Sequence, residues 1–196
     1  IAQIDSINQV QMADKITSLP QVKAQQERLG NELMQCMVEI KVEEFETLLN
    51  TYIRSKGIER TITQIVFLFL ERIGILWLTN HINPAQEHLV SNIIRQKLIV
   101  GIESISSTVK VNKTVLLFLP EGEYHELGLL FMSYLLKSRG VNTIYLGCSI
   151  PVDDVDYVVK LKKPDYLYCH LTTVGHKFNF EKFLAIISKR FSGTPT

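Results

Sequence analysis

The chain changes its hydrophobic period near residues 107–113, and that change limits what it can fold into. Before it, apolar residues recur at helical spacing. Leu33, Met37, Ile40, Phe45, Leu48, Leu49 and Tyr52 form one stripe, which ends where Gly57 can stop a helix. The spacing predicts a second helix from about Thr63 to Asn80, through Ile65, Phe69, Ile73, Leu76 and Trp77. A third opens at Asn83-Pro84-Ala85-Gln86, where Asn83 can cap, Pro84 suits the first helical position and Gln86 can complete a capping box. It continues through Leu89, Ile93, Leu98 and Ile102. Weaker helical patterns cover 7–17 and 20–30, so this half reads as a small helical bundle.

After the change, strands and helices alternate. Thr114–Leu119 is a short, continuously apolar run of the kind a buried parallel strand needs. A helix then runs to about Arg139 with Gly140 just past it. Asn142–Leu146 is a second strand, Pro151 opens another helix, Asp165–Cys169 is a third strand, and Asn179–Arg190 a last helix. This alternation predicts an open parallel sheet with right-handed crossovers. Three strands are fewer than such sheets usually carry, so the sheet is expected to be incomplete at the C-terminal end. The fold class is therefore all-α followed by α/β.

Composition excludes some partners. The formal net charge is +1, with no cationic excess to hold nucleic acid on this segment. The three cysteines, Cys36, Cys148 and Cys169, show no paired metal spacing and suit a reducing cytoplasm. The most apolar run, Ile65–Leu78, is interrupted by Glu71 and Arg72 and reads as too short and too charged to span a bilayer. No basic start followed by an apolar core marks a signal peptide. The chain is expected to be a segment of a longer cytoplasmic protein. No nucleophile triad, Walker loop or dinucleotide fingerprint is present, so no catalysis is expected.

In an open α/β sheet, ligands sit beyond the carboxyl ends of the strands. The loop after the first strand is Pro120-Glu121-Gly122-Glu123-Tyr124-His125-Glu126-Leu127-Gly128. Glu123 can accept the proton of one ring nitrogen of His125, fix the tautomer and leave the other nitrogen for a metal. Gly128 allows a bulky group close to the first turn of the following helix. The plain alternative is a solvated loop, and Glu121 and Glu126 read as its solvated faces. His81, His170 and His176 have no carboxylate at a telling spacing and read as surface or structural residues.

Glu123-x-His125-x-x-Gly128 resembles the Asp/Glu-x-His-x-x-Gly signature of the cobalamin-binding, Rossmann/flavodoxin-like domain. The resemblance implies that His125 displaces the nucleotide base and becomes the lower axial cobalt ligand. The family's second motif, Ser-x-Leu after the third strand, falls at Cys169-His170-Leu171-Thr172-Thr173. Leu171 and a downstream threonine fit, but Cys169 stands in place of the serine that contacts the nucleotide tail, and a thiol is a weaker donor. Thr172 or Thr173 could take over that contact.

In the helical half, Trp77 is followed after nine residues by Glu87-His88. Taken alone, Trp77 reads as a core residue and the pair as solvated. The stretch from Phe67 to Trp77, with Asn83-Pro-Ala-Gln-Glu87-His88, resembles cobalamin-dependent regulators of the MerR type, whose members include light-sensing repressors of carotenoid synthesis. The resemblance covers roughly residues 31–190. It implies that Trp77 covers the upper corrin face and that Glu87 and His88 line the same pocket. It further implies 1–19 as a linker from an absent DNA-binding domain, 20–108 as a capping bundle and 109–196 as the cobalamin-binding domain. Adenosylcobalamin or methylcobalamin would be the cofactor. Its binding would control homo-oligomerisation and, through the absent winged-helix domain, DNA binding, with no membrane partner. Leu78 stands where the light-sensing members have a cobalt-capturing histidine. The alternatives are a corrinoid carrier subunit of a methyltransferase, and a flavodoxin-like structural domain without cofactor.

Overall fold

The structure is a computed structural model that describes the backbone of residues 2–79, 81–172 and 178–192, and the side chains of these from residue 20 onward. The chain forms two compact units, Ile1–Ile93 and Ile94–Thr196.

The first unit is helical: α1 (Ala2–Val38), α2 (Val42–Lys56), α3 (Ile58–Thr61), a π-helical stretch Ile62–Val66, α4 (Phe67–Leu78) and the start of α5 (Pro84–Glu103). Helix α1 is continuous through Pro20 and absorbs both weaker helices expected at 7–17 and 20–30; the backbone of the expected linker, 1–19, is helical from Ala2. The stripe from Leu33 to Tyr52 is not one helix. It is broken after Val38 by a Schellman turn in which Lys41 N donates to Cys36 O (2.8 Å) and Ile40 N to Met37 O (3.2 Å). Ile40 takes the left-handed position there, at φ 56°. A β-branched residue is unusual at that place, which is why no stop was legible.

Other expected signals are present. Gly57 ends α2 at φ 80°, its N–H donating to Ile53 O. Asn83 Oδ1 accepts from Ala85 N (2.9 Å), and Asn83 N donates to Gln86 Oε1 (2.8 Å), the reciprocal bond of a capping box. Gln86 also donates to Val38 O (2.9 Å) and so ties the start of α5 to the end of α1. The core gathers Leu33, Met37, Phe45, Leu49, Ile65 and Phe69, with the Phe45 and Phe69 rings tilted at a 5.7 Å centroid distance. Helical backbone is unbroken over Ile58–Leu78, 21 residues that are long and apolar enough, by length and composition, to cross a membrane. The apolar run read from the sequence was shorter because it began at Ile65. Within the bundle, Ile62, Ile65, Val66, Phe69 and Ile73 of this helix are buried.

The second unit holds the rest of α5, then β1 (Val111–Pro120), α6 (Leu127–Ser138), β2 (Val141–Ile150), α7 (Val152–Lys162), β3 (Tyr166–Tyr168) and α8 (Phe180–Arg190). Among the described residues the sheet has three parallel strands in the order β2-β1-β3, with Leu116 opposite Ile144 on one side and Leu167 on the other. The α/β expectation holds, with β1 and β2 longer than expected and β3 shorter. Both faces of β1 are covered, which is why its sequence shows no alternation. Leu116 and Phe118 pack with Val155, Leu167, Phe183 and Ile187. Val115, Leu117 and Leu119 pack with Leu129 of α6 on the opposite face. The change from helix to strand falls between Glu103 and Val111, where the period changes, whereas the division into units falls inside α5. Gly140, at φ 77°, closes the turn into β2; an added Cβ would stand 2.0 Å from Val109 O.

Phe118 is fully buried at the centre of this sheet. Phe118→Ala should cost about 3–5 kcal/mol by urea unfolding of the second unit. A loss below about 1 kcal/mol would mean that β1 is not the central strand of a packed sheet.

Candidate cofactor site

With the order β2-β1-β3, the chain leaves β1 toward one edge and returns to the other, so a topological switch lies between β1 and β3. The loop at the end of β1 and the segment after β3 therefore flank the crevice where open α/β sheets bind ligands. Three segments are stitched together there. Gly122 N donates to Ser149 Oγ (3.1 Å), and Ser149 N donates to Glu123 O (3.0 Å), which joins the loop to the end of β2. Ser149 holds a left-handed backbone, at φ 55°. Thr172 N donates to Glu123 Oε2 (2.8 Å), which joins the loop to the segment after β3.

Glu123 is the centre of this arrangement. Its carboxylate is only 2% exposed, and Oε1 accepts from His125 N (2.9 Å) and meets His125 Nδ1 at 2.6 Å. A carboxylate so placed holds the ring as the Nδ1–H tautomer and leaves Nε2 with its lone pair free. The His125 ring is 59% exposed, so that nitrogen is presented outward rather than packed. This is the pairing that the spacing Glu123-x-His125 predicts. Among the described residues no three His, Cys, Asp or Glu side chains converge as a bare metal ion would need. A single exposed imidazole held from Nδ1 by a buried carboxylate has the chemistry of a donor that can complete a metal's coordination.

Gly128 sits in the first turn of α6 beneath the ring of His170, which would lie 3.1 Å from an added Cβ. Its openness is used in this structure by a side chain of the same chain. His170, read from the sequence as surface or structural, donates from Nε2 to His125 O (3.2 Å). Glu126 corrects the expectation of a solvated face. Its side chain is only 14% exposed and is held by Arg95 Nε of α5 (2.5 Å) and by the Tyr145 hydroxyl of β2 (3.0 Å). Burial, with the Glu126 carboxylate second, pushes the Tyr145 hydroxyl well above the ordinary tyrosine range. Glu121 is exposed, as expected.

After β3, Cys169 packs against the Leu116–Phe118 core, and burial pushes its thiol up, so it stays protonated. Leu171 is half-buried, and Thr172 contributes its main-chain N–H. Thr173 and His176 lie outside the described residues. Ser149, Arg95 and Tyr145 were not singled out from the sequence, since their partners are 19 to 31 residues distant, and the partner of His170 is 45 residues distant.

In the helical unit, Trp77 is 53% exposed and Leu78 77% exposed at the end of α4, beside exposed Ile75. The reading of Trp77 as core does not hold. Glu87 and His88 meet each other, Oε2 to Nδ1 at 2.8 Å, and Glu87 Oε1 accepts from Ser91 Oγ (2.7 Å). The His88 side chain is largely exposed and that of Glu87 partly so.

Glu123→Gln should loosen the hold on the His125 tautomer, because a neutral amide oxygen accepts more weakly than a carboxylate. In nitrogen-resolved NMR of the cofactor-free protein, the Nδ1–H form should dominate in the parent and its share should fall in the variant. A parent protein with the Nε2–H form would contradict the geometry.

Residues 29–100 match the B12 binding domain family. The HTH-type transcriptional repressor CarH of Myxococcus xanthus is 34% identical over 105 residues, which are 54% of this chain and 34% of that protein. The chain thus spans about a third of the length of this curated relative. The monomethylamine corrinoid protein of Methanosarcina barkeri has the same fold, with a TM-score of 0.68 at 14% identity, covering 84% of this chain and 79% of that one. The methanol:cobalamin methyltransferase complex MtaBC of the same organism matches with a TM-score of 0.40 at 18% identity, over 84% of this chain and 64% of that one. In its helical part this chain is similar to the B12 binding domains, its overall fold is that of corrinoid proteins, and cobalamin is the cofactor these similarities support.

Proposed function

We propose that the chain is the cobalamin-binding, sensing part of a transcriptional regulator, in which His125 would supply a nitrogen ligand to cobalt. The observation that carries the reading is the buried Glu123 carboxylate holding His125 Nδ1 at the β1/β3 switch point. The repressor relative supports the regulatory half of the proposal.

Bound cobalamin would supply a cobalt centre able to accept an imidazole nitrogen. His125 Nε2 would give that nitrogen, and Glu123 would hold the ring in place. Gly128, Cys169, Leu171, Thr172 and Thr173 would line the path of the nucleotide tail, with the main chain of Thr172 anchored by Glu123. From the helical unit, Trp77 would offer its exposed indole to the cofactor, and Glu87 and His88 their polar groups. Leu78 has no ligand atom, so the proposal rests on cofactor occupancy and not on light capture at that place. Occupancy would bias self-association, and with it DNA binding by a winged-helix domain elsewhere in the full protein, only if cobalamin prefers one assembly over another. No catalytic step is assigned. A corrinoid carrier shares this fold, but the sequence relative at 34% identity is a repressor.

The test is to mix the protein in the dark with adenosyl-, methyl- and hydroxocobalamin, and to read absorption spectra after gel filtration. At least one form should co-elute with a histidine-ligated spectrum. His125→Ala should lose that spectrum while keeping part of the affinity. Failure of all three cobalamins to co-elute would sink the reading.

A further inference from the structure

We infer that His170 is a positioning residue for His125, clamping the main chain of the cobalt-ligand loop from the segment after β3. The inference rests on the reading of His125 as the ligand, but its geometry stands without the cofactor. His125 is held at three points: main-chain N by Glu123 Oε1, ring Nδ1 by the same oxygen, and main-chain O by His170 Nε2. The first two orient the ring relative to the loop. The third fixes the peptide plane that leads from His125 into α6, and so the direction in which the ring leaves the loop.

Two further observations make His170 more than a neighbour. Its other nitrogen, Nδ1, is buried without a hydrogen-bond partner among the described residues, so no competing bond from them draws the ring away from His125 O. Donation from Nε2 to a carbonyl also fixes the tautomer, leaving the orphaned Nδ1 without a proton. The ring lies against Gly128, where any side chain would force it or α6 to shift; the ring carbon Cε1 would be 3.1 Å from a new Cβ. The glycine of the loop motif thus serves, in this chain, to let His170 reach the main chain of the motif's histidine. With Thr172 N on Glu123 Oε2, the segment after β3 contributes two clamps, one on the partner of His125 and one on His125 itself.

The experiment compares His170→Ala and His170→Gln with the parent protein. The glutamine amide can place a donor near the position of Nε2, and alanine cannot. In the cofactor-free protein, amide exchange at Glu126, whose N–H shares the peptide plane of His125 O and donates to Tyr124 O, should be about two- to tenfold faster in His170→Ala, the equivalent of one hydrogen bond, and largely restored in His170→Gln. His125 ring signals should broaden or shift toward the Nε2–H form in the alanine variant alone. Loaded with cobalamin, His170→Ala should bind within a few-fold of the parent but with a smaller histidine-ligated fraction. Unchanged Glu126 exchange and His125 ring signals in a folded His170→Ala protein would overturn the inference. Tighter or faster cobalamin uptake would also overturn it, since the ring would then be an obstruction. If the parent binds no cobalamin, the functional reading fails while the cofactor-free measurements still decide the role of His170. If His170→Ala does not fold, Gly128→Ala displaces the ring, and unchanged His125 signals there would equally overturn it.

Discussion

A carboxylate buried to 2% exposure is costly unless several donors replace its lost water, and Glu123 has His125 N, His125 Nδ1 and Thr172 N. Those donors come from two segments far apart in the chain, and Ser149 braces the main chain of Glu123 from a third. The loop after β1 is therefore shaped from within the sheet edge rather than by solvent. Without that carboxylate, the imidazole has no fixed tautomer, the segment after β3 loses a main-chain partner, and nothing presents Nε2 outward. The site depends on the strand order as well: only with β3 beside β1 can Thr172 and His170 reach the β1 loop.

Much of this was legible in the sequence, for local reasons. Glu123 and His125 are two residues apart, so spacing alone can propose their bond. Asn83 with Gln86, Gly57 and Pro151 are likewise local signals. What stayed hidden is long-range or runs against propensity. Ile40 in a left-handed turn gave no stop, so two helices read as one stripe. Glu126 looked solvated because its partners, Arg95 and Tyr145, lie on α5 and β2. His170 had no nearby carboxylate, and its actual partner is a main-chain carbonyl 45 residues upstream, which no side-chain pattern announces. Helical spacing alone would make Trp77 a core residue, yet its indole stands exposed.

The two units carry different parts of the account. Similarity to the B12 binding domains falls on the helical unit and extends only a little into the second, ending at residue 100. The Glu123–His125 pair falls entirely in the second, and the fold likeness to the monomethylamine corrinoid protein covers 84% of the chain. Cys169 is the departure with a physical consequence: it packs into the core with its thiol pushed up by burial, and the polar contacts of the described segment after β3 are made by the His170 ring and the Thr172 main chain.

The central claim is that a histidine of this chain ligates cobalt. Electron paramagnetic resonance of protein-bound cob(II)alamin tests it most directly, because the axial nitrogen splits the cobalt lines. With ordinary histidine the account predicts triplets. With nitrogen-15 introduced at histidine alone, the account predicts doublets. Triplets that persist after labelling would mean that the cofactor keeps its own base, and would contradict the account.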